Sequence, residues 1–189
     1  MNAIGLPTAA TILDALLHPP ANRGRTVRGE RFGDIIDPIL ALHRNNAEQW
    51  DREDDVRRDD GNDAAVAAAK RDIDRLNHAR HALIEAIDQA ITKAVDLRIE
   101  APMVTESPGM AIDRLSILVI RLASTQAGAA SGTPDTGVLS ERIPRLCSQL
   151  AALEEAIDTL LRDLTNGSRR FLGHESLKLY GSKGPGRAG

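Results

Sequence analysis

Leu83-Ile84-Glu85-Ala86-Ile87-Asp88-Gln89-Ala90-Ile91-Thr92-Lys93-Ala94-Val95 carries apolar side chains at positions 83, 84, 87, 91 and 95. Steps of three and four follow the turn of an α-helix and fit no strand alternation. Leu76, Ile73 and Val66 extend the same face upstream, and the alanines from Ala64 to Ala69 favour helix and permit close packing. Asp60-Gly61-Asn62-Asp63 reads as a turn with Asn62 or Asp63 as N-cap, so a helix is expected from there to about Val95.

Working outward, a second long helix is expected over 34–59, opened by Asp37 as cap and Pro38 in the first turn, with Ile35, Ile39 and Leu42 on its apolar face. Pro102 and Pro108 break the pattern beyond Arg98. Ser107-Pro108 then caps a helix from Gly109 to about Gln126. A Gly/Ser/Thr/Pro linker is expected over 127–137, and a last helix over 139–165, stopped by Asn166-Gly167. Near the start, Thr8 caps a short helix that His18-Pro19-Pro20 ends.

No segment alternates as a strand. The expected fold is all-α: a bundle of three to four long helices with a short N-terminal helix. The expected organisation is an N-terminal helix and Pro/Gly/Arg loop over 1–33, the bundle over 34–180, and a Gly-rich, basic, disordered tail over 181–189.

Composition excludes several classes. At 189 residues, 42% hydrophobic and 27% charged, the chain is of ordinary size for one domain with its own core. A net charge of -3 gives no overall basic field, and four aromatic residues give no stacking platform, so nucleic acid is not an expected partner. Cys147 is the single cysteine, which excludes an internal disulfide; its apolar neighbours suggest a small buried residue. The most apolar stretch, 110–123, is short for a bilayer and is interrupted by Asp113, Arg114 and Arg121. With no signal-peptide pattern, a cytoplasmic location and no membrane partner are expected.

That same stretch raises the main question. Its helix is apolar nearly all round, so Asp113 and Arg114 are expected to be buried and to need partners. Arg121 returns to within about 20° of the face of Arg114, making a basic stripe. Partners are expected from two further stripes at helical spacing: Asn46, Trp50, Glu53 and Arg57 with Asp54 beside them, and Lys70, Asp74, Asn77 and His81 bordered by Arg80. Mixed charges at this spacing are also the ordinary pattern of exposed ion pairs.

These residues resemble a bacterial domain-of-unknown-function family, number 4254, over about residues 34–180. The resemblance is carried by Asn46-x-x-Gln49-Trp50-x-x-Glu53-Asp54-x-x-Arg57 and by Lys70-Arg71-x-Ile73-Asp74-x-x-Asn77-x-x-Arg80. Its most specific part is Thr105-Glu106-Ser107-Pro108-Gly109-Met110-x-x-Asp113-Arg114-Leu115-Ser116-Ile117. Phe171 and Lys178-Leu179-Tyr180 are similar to the family's closing segment, where Gly181-Ser182 departs from an expected Asn-Asp. The resemblance supports the fold and the choice of residues, implies a setting in glycan or specialised-metabolite biosynthesis, and supplies no reaction.

The first functional reading is an enzyme or ligand-binding protein for an anionic small molecule bearing phosphate or carboxylate. Asn46, Trp50, Arg57, Lys70, Asn77, Arg80, Glu106 and Arg114 would bind it. Glu53, Asp54, Asp74 and Asp113 are the candidate acids and bases. The alternative is a non-catalytic scaffold or accessory subunit, with a structural buried ion pair and a possible homodimer. No cofactor is named by the sequence. Metal is disfavoured: Glu85 and Asp88 are expected on a solvated face, no Glu-x-x-His pair exists, and His78-x-x-His81 has no matching acids.

Overall fold

A computed structural model describes residues 6–19, 32–58, 63–132 and 135–175. The Arg-rich loop, the side chain of Arg57 and the 181–189 tail lie outside the described residues. Five helices make the fold all-α: α1 (Ala9–Leu17), α2 (Gly33–Arg58), α3 (Asp63–Ala94), α4 (Pro108–Ala130) and α5 (Thr136–Thr165). Among the described residues there is no strand, only a parallel bridge between Met103 and Arg170.

Each helix is placed by its apolar stripe. Ile35, Ile39 and Leu42 of α2, Ile84, Ile87 and Ile91 of α3, and Ile112 and Leu115 of α4 form one core. Cross-helix pairs fix the direction of packing. Glu48 meets Arg75 and Arg52 meets Asp72, so α2 and α3 are antiparallel. α3 and α4 are antiparallel in the same way, because Arg80 meets Asp113 while Asp88 meets Gly109.

α5 completes an up-down order but does not close the bundle. Its backbone approaches α4 and α1 and comes close to neither α2 nor α3. α1 wedges into one end of the resulting gap, burying Ala9, Ile12 and Leu16. Thr8 caps it through Thr11 N at 3.1 Å, and its first free N–H, on Ala9, donates to Asp158 Oδ1 of α5 at 2.7 Å. Just beyond, at the C-terminal end of α5, Gly167 takes a φ of 71° and Ser168 N donates to Asp163 O at 3.0 Å, the left-handed stop expected of Asn166-Gly167.

Four expectations are corrected. α2 begins at Gly33, one turn before Pro38, because Phe32 O accepts from both Ile35 N and Ile36 N and opens the helix early. α4 continues to Ala130 and α5 begins at Thr136, so both ends of the expected linker are helical. Cys147 is exposed, because only Leu146, about 100° further round α5, turns fully into the protein, leaving 147 at the solvent edge of that face. Asp88 is 1% exposed, not solvated, for reasons developed below.

Candidate functional site

Ser107-Pro108-Gly109-Met110 acquires a physical meaning at the start of α4. Ser107 Oγ accepts from Met110 N at 3.3 Å, and Pro108 opens the helix where no N–H is needed. The N–H of Gly109 points across to α3 and donates to Asp88 Oδ1 at 2.7 Å. A carboxylate at a helix N-terminus is favoured by the helix dipole. The other oxygen of Asp88 accepts from His174 N at 2.7 Å, so one buried acid pins both α4 and the segment after α5. His81 and His174 complete this corner, their rings stacked 5.0 Å apart.

One turn further along, the polar heart of the bundle forms. Asp113 is 4% exposed, and Arg80 of α3 forks onto both its oxygens, with Nε to Oδ1 at 2.9 Å and the terminal nitrogen on Oδ2. Buried Asn46 of α2 donates to Asp113 Oδ1 at 2.9 Å and to Ser116 Oγ at 3.1 Å. His43 Nδ1 lies 3.0 Å from Ser116 Oγ. Hydrogen bonding to Asp113 raises the pKa of Arg80 against the opposing pull of burial, and the charges of Asp113 and Glu53 add to the rise. Three helices thus share one satisfied network.

Burial depresses the pKa of His43 below its ordinary 6.5. In the window below 6.5 the unfolded chain binds a proton that the folded chain refuses, so stability falls as pH falls through that window. Between about pH 7.5 and about pH 5, His43→Gln is expected to lose less stability than the parent in urea titrations. Equal losses in the two proteins would remove His43 from the acid response.

Arg114 is not part of the heart. Successive helical residues lie about 100° apart, so Asp113 and Arg114 cannot face one partner. The Arg114 side chain is 61% exposed and reaches Glu106 Oε2 at 2.9 Å on the surface. Lys70 and Asp74 are also exposed, which corrects the expectation that their stripe turns inward; only Asn77, Arg80 and His81 from it are part-buried. Glu53 is half-buried and accepts from Gln49 Nε2 at 3.1 Å. The four candidate acids are therefore spread out: Asp113 in the core, Asp74 on the surface, Glu53 beside Gln49, and Asp54 in the wall of a cleft.

That cleft is the gap that α1 leaves open. Trp50 and Asp54 of α2, Arg121 and Ser124 of α4, and Leu139, Arg142, Arg145 and Gln149 of α5 surround about 720 Å³. This falls within the range of small-molecule sites, about 300–1,000 Å³. Arg121, Arg142 and Arg145 form no ion pair with any described residue. Arg121 was legible as part of a basic stripe, whereas Arg142 and Arg145 were missed. The signal was present in Leu139-x-x-Arg142-x-x-x-Leu146-x-x-Gln149, one face of α5 at steps of three and four.

Among the described residues no group of three or more His, Cys, Asp or Glu is gathered as for a metal ion, and no helix is long and apolar enough to cross a membrane. None of the curated proteins and none of the solved structures matches the chain. The family model described as "Protein of unknown function (DUF4254)" matches residues 37–172, which takes in α2 from Asp37 onward, all of α3 to α5, the polar heart and every described residue of the cleft. With well over half its length matched, the chain belongs to the DUF4254 family.

Proposed function

We propose that the protein binds an anionic small molecule in the cleft between α2 and α5, and that the buried Arg80–Asp113 network is the frame holding that cleft in shape. One observation carries the reading: three arginines without carboxylate partners line, from two helices, a space of ligand size beside the chain's one tryptophan. Arginine matches phosphate and carboxylate oxygens through paired N–H donors, and such charged hydrogen bonds contribute about 1.5–3 kcal/mol each. Trp50 supplies a flat apolar wall, and Asp54 an acceptor for a ligand hydroxyl or amine.

In this reading Arg80 and Asp113 position rather than bind, since each already satisfies the other. Asn46 ties α2 to α4 one turn from Trp50, which fixes the cleft wall. Glu106 and Arg114 neutralise each other outside the α2–α5 cleft.

Titration with phenyl phosphate, followed by Trp50 fluorescence, tests the proposal. Saturable quenching is expected, weakening with added salt. Arg142→Ser/Arg145→Ser is expected to weaken binding about a hundredfold, at roughly tenfold per lost guanidinium contact. Binding of equal strength in the double variant, or no fluorescence response in the parent, rejects the cleft as an anion site.

A further inference from the structure

We infer that the ligand of this site is an amphiphile: a phosphate- or carboxylate-headed molecule with a long apolar chain. The inference rests on the anion-binding reading above and concerns what lies beyond the arginines. Arg121 and Gln149 line two cavities at once. The basic cleft therefore adjoins, across Arg121 and Gln149, a trough of about 660 Å³ between α4 and α5.

The trough has a different chemistry from the cleft. Its lining includes Ile117 and Leu118 of α4 and Leu153, Ala156 and Leu160 of α5. These are only partly covered, and Ala156 is exposed, so apolar surface faces the space and not the core. From Gln149 to Leu160 the helix rises about 16 Å, at about 1.5 Å per residue. Charge falls along the same direction. Unpaired Arg121, Arg142 and Arg145 stand at one end, while at the other Arg114 is neutralised by Glu106. A compact polyanion would use the first end and leave the second wet. A chain with one charged head uses both, with the head at the arginines and the tail toward Leu160.

Alkyl phosphates of increasing length, held below their micellar concentration and read by Trp50 fluorescence, test this. Each methylene taken fully out of water tightens binding about fourfold, and about twofold in a half-open trough. Decyl phosphate is then expected to bind roughly fifty-fold tighter than butyl phosphate. Decanol, lacking the head, is expected to bind more weakly than decyl phosphate. Ala156→Glu places bulk and charge in the trough at an exposed position, so the fold tolerates it. It is expected to abolish the gain from chain length while leaving butyl phosphate binding unchanged.

Equal affinities for butyl and decyl phosphate in the parent would overturn the amphiphile inference and leave the anion site standing. A chain-length gain that survives Ala156→Glu would likewise overturn it. Failure of butyl phosphate itself to move the fluorescence would instead strike the underlying anion-site reading. A second copy of this chain is the competing occupant. Sedimentation showing a dimer that decyl phosphate does not dissociate, and that Ala156→Glu does, would assign the trough to that copy and overturn the inference.

Discussion

Asp113→Ala is expected to lower the stability of the folded chain by about 3–4 kcal/mol, the largest effect of any single substitution considered for this protein. The loss exceeds that of one hydrogen bond because three donor groups are abandoned together. The Arg80 fork and Asn46 Nδ2 all converge on this carboxylate. Asn46 is 6% exposed, so water cannot readily replace the lost acceptor. The Arg80 side chain keeps 28% exposure and recovers part of its hydration, which holds the expected cost below the upper end for buried pairs. Urea titration gives the value directly, and the midpoint of thermal unfolding is expected to drop by about 6–16 °C. Arg114→Ala is the control: an exposed pair contributes at most about 1 kcal/mol. Comparable losses at 113 and 114 would mean that the two neighbouring charges share one role, contrary to their geometry. An apolar exchange of both partners, Asp113→Leu with Arg80→Met, removes the stranded charge and should recover much of the deficit.

Gly109→Ala is expected to cost about 2–3 kcal/mol, a large penalty for a methyl group in a helix, where alanine ordinarily stabilises. A Cβ at this position would stand 2.6 Å from Ile84 O and 2.8 Å from Asp88 Oδ1. The first obstacle is backbone in the middle of α3 and cannot swing aside. Relief requires α4 to back away, which stretches the 2.7 Å bond from Gly109 N to Asp88. Backing away also loosens the packing of Ile112 on the same helix. Denaturant unfolding with an unchanged slope and a lower midpoint would register the loss as one of stability and not of compactness. A neutral or stabilising result would show that the two helices are not pressed together at this point.

The main architecture was legible because its signals are local. Three- and four-residue apolar steps, Ser107-Pro108 as a cap, and Asn166-Gly167 as a stop each act within one or two turns. What escaped depended on the third dimension. Ile84, Asp88, Ile91 and Val95 follow one face of a helix, so Asp88 stood in an apolar stripe and its burial could have been read there. Its partners, Gly109 and His174, are 21 and 86 residues away and gave no local hint. Arg114 was misjudged for the converse reason. An apolar helix suggested cover on all sides, yet α4 meets α2 and α3 on one flank and α5 on another, leaving the turn at Arg114 and Glu106 open.

The candidate site was half legible on the same grounds. Asn46, Arg80 and Asp113 were singled out and do meet, because a charge on a buried helix must recruit partners and few were available. The cleft itself was not foreseen. It arises from an absence of contact between α2 and α5, and sequence periodicity records which faces are covered, never where two covered faces fail to meet.

Because α5 leans on one long neighbour and a nine-residue wedge, the two banks of the cleft differ in compliance. The tryptophan bank is braced by α3 and by the carboxamide of Asn46, as stiff as the core itself. The arginine bank has α1 beside it only near Asp158; toward Leu139 it rests on α4 alone, where Leu139 packs against Gly128. A guest of greater girth would be accommodated by tilting α5 on α4, its single long neighbour, with no rearrangement of the ion pair on the far side of α4.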